Sequence, residues 1–270
     1  MNETVLLVGC GKMGGALLRR WLERDVDAGH IYIVDPEEES RSLAHDLGIS
    51  CSEAVKTLPR DVAPAVVVFA VKPQITDDVV PAYAEFVGPG TVFLSIAAGR
   101  PIAYFEDRLG KDAAVVRAMP NTPAAVGRGI SVACANRHVT GDGRATCNEL
   151  LAAVGEVAWV EDEGLLDAVT ATSGSGPAYV FLLIEYLAEP GPEAGLPSGL
   201  AMQLARATVA GAGELARQSG ETPSELRRNV TSPGGTTAAA LEVLMADDGM
   251  GQLLTRAVAE ATRRSRELAS

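Results

Sequence analysis

A glycine-rich turn directly after the first strand-like run constrains this chain more than any other feature. Thr4–Val8 is apolar and β-branched, and it leads into Gly9-x-Gly11-x-x-Gly14. In a strand–turn–helix unit, the first glycine permits a tight turn, the second lets the backbone approach a pyrophosphate, and the third lets helix and strand pack closely. The pattern predicts a dinucleotide-binding turn at the start of an α/β fold. The alternative is a glycine turn with a purely structural role.

Short apolar runs alternate with helical patterns over residues 1–161, which predicts a Rossmann-like, doubly wound parallel sheet with helices on both faces. The strand-like runs are Thr4–Val8, His30–Asp35, Ala65–Val71, Thr91–Ser95, Ala114–Ala118, Ile130–Ala133 and Val157–Val160. The helical patterns between them are Met13–Arg24, Glu37–Leu47, Ile75–Phe86, Ile102–Leu109 and Gly143–Ala153.

The strand signal disappears from about Glu161, and residues 162–270 are predicted to form an all-α domain for substrate binding and dimerisation. A helical layer of about 110 residues seldom buries both of its faces alone, so pairing with a second copy is expected. The predicted helices are Leu165–Thr172, Ala178–Leu187, Pro197–Gln218, Pro223–Arg228, Thr236–Met245 and Met250–Leu268.

Composition excludes several classes of protein. The chain has 23 basic and 35 acidic residues and a net charge of −12, which argues against a nucleic-acid partner. Its 4 cysteines form no Cys-x-x-Cys pair and its 3 histidines have no metal-ligand spacing, so neither a disulfide scaffold nor a metal site is expected. No leader segment and no apolar run of membrane-spanning length is evident, so we expect a cytoplasmic protein with no membrane partner.

Asp35 ends the second strand-like run, about 20 residues after the last glycine of the turn. A carboxylate there commonly holds the ribose 2′-hydroxyl and repels a 2′-phosphate, which favours NADH over NADPH. Two alternatives remain open. Asp35 with Pro36 could merely open a turn and cap the next helix, and Arg41 could fold back to accept a phosphate.

Three further loops follow predicted strands, at Ala70–Gln74, Ile96–Gly99 and Met119–Pro123. Ligands of open α/β sheets lie at the carboxyl ends of the strands. Small residues such as Ala97 and Ala98 would let a nicotinamide and its ribose approach the backbone. Ordinary loop chemistry explains each loop taken singly.

A second donor-rich segment, Val230–Thr237, precedes an Ala-rich helix. Ser232 is predicted as the N-cap and Pro233 as the first helical residue. Free backbone N–H groups at the helix start, with the hydroxyls of Thr236 and Thr237, would hold a small carboxylate without a basic side chain. A structural capping motif is the alternative.

The last lysine of the chain is Lys111 and the last histidine is His138, so the predicted helical domain contains neither residue type. Interconverting an alcohol and a ketone usually needs such a proton donor, whereas a protonated imine is already activated. Threonine, serine and backbone donors therefore favour reduction of a C=N bond.

Six motifs resemble the pyrroline-5-carboxylate reductase family, collinearly over nearly the whole chain. The resemblance implies hydride transfer from NADH or NADPH to 1-pyrroline-5-carboxylate, giving L-proline. It also implies a homodimer with intertwined C-terminal helices and a site completed across the dimer, with a decamer of five dimers as the larger assembly. The motifs are Gly9–Gly14, Ala70–Gln74, Ser95–Gly99, Met119–Pro123, Ser173–Tyr179 and Leu226–Thr237.

The resemblance also assigns residues to roles. Ser232, Gly235, Thr236 and Thr237 would hold the substrate, with the Thr237 hydroxyl as proton donor. Many family members prefer NADPH, and Asp35 departs from their usual pattern. The expected cofactor contacts are Val8, Gly9, Cys10, Gly11, Lys12, Met13, Gly14, Asp35, Ala70, Val71, Lys72, Pro73, Ile96, Ala97, Ala98 and Asn121.

Two other functions are alternatives. A β-hydroxyacid dehydrogenase shares the two-domain plan, but that family resembles this chain less because it places a catalytic lysine in the helical domain. A non-catalytic dinucleotide-binding module would bind the cofactor tightly without reducing any cyclic imine.

Overall fold

The computed structural model describes residues 3–24 and 26–269, apart from the side chain of Ala269. Within these residues, eight strands form one sheet. The strand Ser50–Ser52 was not predicted, because its Ser-Cys-Ser sequence lacks the β-branched apolar residues that favour strands. The strands are β1 (Val5–Val8), β2 (Ile31–Val34), β3 (Ser50–Ser52), β4 (Val66–Phe69), β5 (Val92–Ser95), β6 (Ala114–Met119), β7 (Gly129–Ala135) and β8 (Gly155–Trp159).

The sheet has the order β3-β2-β1-β4-β5-β6-β7-β8, and the strand order reverses between β1 and β4. This is the doubly wound arrangement that the sequence predicted. The expectation that all strands are parallel is wrong at one pair, since β6 and β7 are antiparallel. Residues 120–128 connect them through a short 3-10 turn, Thr122–Val126, whereas a parallel return needs a crossover of a dozen or more residues.

Both faces of the sheet are buried, because successive strand residues point to opposite sides. Leu7 packs in one apolar cluster with Trp21, and Leu6 packs in the other with Phe69 and Phe93. The rings of Phe69 and Phe93 are stacked with centroids 6.2 Å apart. Burying each such side chain stabilises the fold by about 1.5–3 kcal/mol, so the central strands are the rigid platform for the loops at their ends.

The helices follow the predicted pattern with two differences. Ile75–Phe86 is α-helical only in its first part and continues as a 3-10 helix over Val80–Phe86, because Pro81 lacks the N–H group that an α-helix interior uses. The predicted Leu165–Thr172 helix passes into a π-helical turn over Thr170–Gly174. The α-helices are α1 (Lys12–Glu23), α2 (Glu38–Asp46), α3 (Thr76–Val79), α4 (Ile102–Leu109), α5 (Gly141–Ala152), α6 (Leu165–Val169), α7 (Gly176–Ala188), α8 (Ser198–Gln218), α9 (Pro223–Asn229), α10 (Thr236–Leu244) and α11 (Met250–Ala269).

The chain divides into two compact units. The first is Met1–Gly174 with Thr262–Ser270, and the second is Ser175–Ala261. Helix α6 belongs to the sheet unit, because Leu166 is fully buried in an apolar cluster of that unit. The domain boundary between residues 161 and 162 stays a prediction.

Helices of the second unit carry large exposed apolar side chains. Phe181 is 59% exposed, Tyr186 63% and Val243 73%. A surface of this kind marks an interaction site, and a helix such as α7 that is apolar all round needs a partner to cover it. Among the described helices, none combines the length and the apolar character required to cross a membrane.

Candidate functional site

The glycine-rich turn lies at the carboxyl end of β1, where the strand order reverses. Gly9 has a φ of +90°, a conformation that favours glycine. A Cβ atom on Gly14 would lie 2.2 Å from the Gly9 carbonyl oxygen, so helix and strand approach more closely than a side chain permits. A Cβ atom on Gly11 would meet nothing within 4 Å. The structure agrees with the conformational role predicted for Gly9 and the packing role predicted for Gly14, and the contact of Gly11 with a pyrophosphate stays a prediction.

Helix α1 begins directly after the open position, with Gly11 as its N-cap. The first amides of a helix have no acceptor within the helix and carry the positive end of its dipole. Lys12 is exposed and adds a positive charge at this point, while Met13 is half-buried. Residues 11–13 therefore offer the donors and the charge that a pyrophosphate requires.

Asp35 lies beside this turn and is only 5% exposed. Its Oδ2 accepts a hydrogen bond from the Cys10 amide at 2.6 Å, and its Oδ1 accepts one from the Glu37 amide at 2.9 Å. Glu37, not Asp35, is the N-cap of α2. The Arg41 guanidinium donates to the carbonyl oxygens of Asp35 and Pro36. Asp35 thus tethers the turn to the segment that enters α2, and its contact with a ribose hydroxyl stays a prediction.

The Cys10 thiol is not activated for chemistry. Burial, and then the negative charge of Asp35, raise its pKa to about 11. The thiol therefore stays protonated at pH 7. The contribution of Cys10 to the turn is therefore its backbone. Among the described residues, no group of three His, Cys, Asp or Glu residues is placed to hold a metal ion.

The loop after β4 lies at the same edge of the sheet as the glycine-rich turn. The Ala70 amide donates to the Val8 carbonyl oxygen at 2.8 Å, and a Cβ atom on Gly9 would lie 2.8 Å from Val71 Cγ1. Lys72 is exposed and Pro73 is half-buried. The predicted cofactor residues 8–14 and 70–73 therefore lie together.

The loop after β5 is the neighbour of this group. The Ile96 amide donates to the Phe69 carbonyl oxygen at 3.1 Å, which places the start of the loop beside the end of β4. Ile96 and Ala97 are buried, whereas Ala98 is exposed. The loop therefore offers a short backbone surface with small side chains, as the sequence predicted.

Sequence reasoning missed two residues that shape these loops. Ser95 Oγ accepts a hydrogen bond from the Ala97 amide at 3.2 Å. Arg100 donates to the Pro73 carbonyl oxygen at 3.0 Å through Nη2, across 27 residues of sequence. The Ser95 contact is a local serine turn. Nothing in the local sequence signals the Arg100 contact, because the pairing of β4 with β5 brings the two loops together.

Asn121 was predicted to contact the cofactor, and its side chain is occupied by contacts within the chain. Its Oδ1 accepts a hydrogen bond from the Ile130 amide at 3.0 Å. Its Nδ2 lies 3.3 Å from the Ser173 carbonyl oxygen and 3.2 Å from Ser173 Oγ. These bonds join the loop after β6 to the π-helical turn. Whether Asn121 also touches the cofactor stays a prediction.

The second donor-rich segment differs from its prediction at the helix start. Helix α10 begins at Thr236 with Gly235 as the N-cap, so the prediction of Ser232 as N-cap and Pro233 as first helical residue is wrong. Instead, the Gly235 amide donates to the Ser232 carbonyl oxygen at 3.0 Å. Gly234 has a φ of +67°, and proline followed by such a glycine is typical of a type II turn.

This turn leads directly into the first turn of α10. Thr236 is exposed and Thr237 is half-buried. The amides of the first turn of α10 have no acceptor within the helix, and both threonines add a hydroxyl beside them. The segment can therefore bind a small anion and donate a proton at short range, without a cationic side chain.

Comparison with known proteins decides the family. The model of the family described as "Pyrroline-5-carboxylate reductase dimerisation" matches residues 163–268. The pyrroline-5-carboxylate reductase of Pseudomonas aeruginosa is 41% identical over 267 residues, which cover 98% of this chain and 96% of the relative. This chain belongs to the pyrroline-5-carboxylate reductase family. The resemblance predicted from the sequence motifs is confirmed.

Further matches agree with this membership. The pyrroline-5-carboxylate reductase of Synechocystis is 39% identical and covers 99% of each chain. A second family model, "NADP oxidoreductase coenzyme F420-dependent", matches residues 4–99. The predicted fold class, a Rossmann-like domain followed by a helical dimerisation domain, is confirmed. As a member of this family with a match to its dimerisation domain, the chain forms a homo-oligomer.

Solved structures of other family members have the same fold. The pyrroline-5-carboxylate reductase of Coxiella burnetii has a TM-score of 0.94 at 30% identity, with all of both chains covered. The Plasmodium falciparum pyrroline carboxylate reductase, solved with NADP bound, has a TM-score of 0.84 at 28% identity and covers 100% of this chain and 99% of that one.

Proposed function

We propose that this chain reduces the C=N bond of 1-pyrroline-5-carboxylate to L-proline with a hydride from NADH or NADPH. The observation that carries the proposal is the glycine turn, with its open space at Gly11 and its closed packing at Gly14. Full-length similarity to pyrroline-5-carboxylate reductases supports the same reaction. At this level, the enzyme class and the nicotinamide cofactor predicted from the sequence are confirmed.

The cofactor side of the reaction uses the sheet edge. We assign the pyrophosphate to the backbone of residues 9–14, and the nicotinamide and its ribose to residues 70–73 and 96–98. The Asp35 carboxylate would accept the ribose 2′-hydroxyl, and this charge disfavours a 2′-phosphate, so we propose NADH as the preferred cofactor. When bound, the reduced cofactor supplies the hydride that adds to the imine carbon.

The substrate side uses the start of α10. We assign the substrate carboxylate to the amides that follow Gly235 and to the hydroxyls of Ser232 and Thr236. The Thr237 hydroxyl would lie at the imine nitrogen and donate a proton as the hydride arrives at carbon. A hydroxyl suffices because the substrate nitrogen becomes more basic as the C=N bond is reduced, and the threonine oxygen recovers its proton from water, so that no alkoxide is left.

The oligomer that we propose is a homodimer with its active sites completed by both copies, with a decamer of five dimers as the larger assembly. The exposed apolar side chains of Phe181 and Tyr186 support the dimer. We also propose a cytoplasmic location, supported by the four free cysteines. Light scattering on the purified protein gives the mass that distinguishes dimer from decamer.

An activity assay with two cofactors tests the proposed reaction. Purified protein is mixed with 1-pyrroline-5-carboxylate and either NADH or NADPH, and proline formation is measured beside cofactor oxidation. We expect one proline for each cofactor oxidised, with NADH the better donor. Failure to oxidise either cofactor would contradict the reaction, and a preference for NADPH would contradict only the role given to Asp35.

A further inference from the structure

One carbonyl oxygen in the loop after β4 accepts an unusual number of hydrogen bonds. The Pro73 carbonyl oxygen receives the Thr76 hydroxyl at 2.8 Å. It also receives Arg100 Nη2 at 3.0 Å and Arg100 Nε at 3.3 Å. The Thr76 amide completes the set. Because Arg100 stands in the loop after β5, these bonds join the two loops to which we assign the nicotinamide.

Asp77 holds the arginine in place from the other side. Its carboxylate lies 3.3 Å from Arg100 Nη2 and 2.9 Å from Arg108 Nε. The Tyr104 hydroxyl lies 2.8 Å from Thr76 Oγ1 and 3.0 Å from Asp77 Oδ1. The guanidinium carbon of Arg100 lies 4.6 Å from the centre of the Tyr104 ring, and that of Arg108 lies 3.6 Å from it.

Burial makes this network more than a surface ion pair. Thr76 is fully buried and Tyr104 is 8% exposed. The Arg100 side chain is 27% exposed and the Asp77 side chain 50%. The buried residues Thr76 and Tyr104 therefore hold the network in place, while the Asp77 carboxylate is partly exposed to water.

We propose that Arg100 and Asp77 are positioning residues for cofactor binding, which set the Lys72–Pro73 segment in its binding conformation before the cofactor arrives. The inference rests on the proposed function, since it takes residues 70–73 as contacts of the nicotinamide half. Neither residue touches the reacting atoms in this assignment. Arg100 acts through the Pro73 carbonyl group, and Asp77 acts through Arg100.

Backbone geometry explains why hydrogen bonds to the Pro73 carbonyl group can fix the conformation of this segment. The proline ring fixes φ of Pro73, so ψ is the one soft dihedral left, and ψ sets the direction of the carbonyl. Lys72 precedes proline and is restricted to the extended region, where it has a φ of −64° and a ψ of 142°. Donors from Thr76 and Arg100 then fix the carbonyl. A loop ordered in advance pays less conformational entropy on binding, which tightens cofactor affinity.

The decisive experiment compares Arg100→Met with a matched control, Arg144→Met. Arg144 also makes an ion pair, with Glu161 at 3.4 Å, and also stacks on an aromatic ring, with its guanidinium carbon 4.4 Å from the centre of Trp159. It lies away from the cofactor loops. Dissociation constants for NADH and NADPH are measured by cofactor fluorescence without imine, and steady-state constants are measured with it.

For Arg100→Met we expect both cofactor dissociation constants to rise about fivefold, because the cofactor then has to order the loop as it binds. The KM for the imine and kcat at saturating cofactor stay within about twofold of wild type, because the reacting groups are untouched. Arg144→Met stays within about twofold of wild type in every constant, as expected for an exposed pair.

Two further variants separate positioning from a general loss of structure. Arg100→Lys keeps the charge but not the two-pronged donor, so its cofactor affinity lies between wild type and Arg100→Met. Asp77→Asn weakens cofactor binding, and combining it with Arg100→Met gives no further loss, because Asp77 acts through Arg100.

Cofactor dissociation constants for Arg100→Met that match those of Arg144→Met would overturn the inference. So would a fall in kcat with cofactor affinity unchanged. A wild-type protein that binds neither cofactor contradicts the proposed function instead, so the two failures are distinguishable.

Discussion

The Asp35 carboxylate lies 2.6 Å from the backbone nitrogen of Cys10, so an acidic group is hydrogen-bonded directly to the phosphate-binding turn. The Glu37 amide binds its other oxygen at 2.9 Å. Two backbone donors therefore hold this carboxylate in position. In the proposed cofactor assignment, this carboxylate lies at the adenosine ribose and would repel a 2′-phosphate.

Replacing Asp35 separates its charge from its hydrogen bonds. Asp35→Asn keeps an oxygen acceptor for the Cys10 amide but removes the charge, whereas Asp35→Ser also shortens the side chain. We expect both variants to narrow the preference for NADH over NADPH, since the repulsion of a 2′-phosphate is lost. Ratios of kcat/KM for the two cofactors give the answer. An unchanged ratio in Asp35→Asn would show that the charge does not select the cofactor.

Two glycines of the turn predict opposite outcomes for the same substitution. In Gly11→Ala the new methyl group enters open space, so folding is kept, but the methyl group occupies the position assigned to the pyrophosphate. We expect thermal stability within about 0.5 kcal/mol of wild type and cofactor affinity at least about tenfold weaker. Calorimetry and cofactor titration measure the two quantities. Wild-type affinity in Gly11→Ala would place the pyrophosphate elsewhere.

Gly14→Ala is the counterpart, because its methyl group would lie 2.2 Å from the Gly9 carbonyl oxygen. Helix α1 then has to move away from β1, and the protein is destabilised by about 1–3 kcal/mol, as overpacking usually costs. Urea denaturation of both variants measures the difference. Equal stability of the two would contradict the close packing of helix and strand.

The sequence predicts those parts of the molecule whose conformation depends on neighbouring residues along the chain. Helix α4 has the predicted bounds, Ile102–Leu109, and the glycine turn has the predicted form. The prediction that a helix begins after Ser232 is wrong because two local preferences compete. Proline is favoured at the first helical position, and proline followed by glycine is also favoured in a turn. The positive φ of Gly234 shows that the turn prevails.

What sequence could not predict depends on partners distant along the chain. The strand Ser50–Ser52 has little strand propensity of its own and forms by pairing with β2. The bond between Arg100 and Pro73 exists only because β4 and β5 are neighbours in the sheet. The contacts of the Asn121 amide with Ser173 join two loops that are 52 residues apart, and the predicted contact of Asn121 with the cofactor stays a prediction.

Thr237→Ala tests the proposed proton donor. We expect kcat to fall by about 10²-fold, because proton transfer by a positioned group contributes that much, while the KM for the cofactor stays near wild type. Thr236→Ala is the matched control at the exposed neighbouring position and should mainly raise the KM for the imine. Steady-state kinetics with varied imine and cofactor separates these effects. Wild-type turnover in Thr237→Ala would remove this hydroxyl from the mechanism.

A half-buried ion pair predicts a stability effect away from the site. Glu163 Oε1 accepts hydrogen bonds from Arg117 Nη1 and from the Ile102 amide at the start of α4, each at 2.8 Å. The Arg117 side chain is only 8% exposed, so Glu163→Ala leaves a buried charge and an uncapped helix, and we expect a loss of about 2 kcal/mol. Glu161→Ala, which breaks the exposed pair with Arg144, should cost less than about 0.5 kcal/mol. Urea unfolding of both variants checks this, and equal losses would contradict the importance of burial.

Buried thiols predict a loss of stability at alkaline pH. Burial raises the pKa of Cys147 from 9.0 to about 12 and is the main cause of the rise of the Cys10 pKa to about 11. Above pH 9.0 the unfolded chain releases thiol protons that the folded chain retains. The free energy of unfolding contributed by these groups is therefore constant below pH 9.0 and falls as the pH rises through about 11 and 12. Urea midpoints measured across this range should fall less steeply in Cys147→Ala than in wild type, after allowance for its lower starting stability. The same alkaline slope in both proteins would mean that the Cys147 thiol ionises as readily in the folded chain as in the unfolded one.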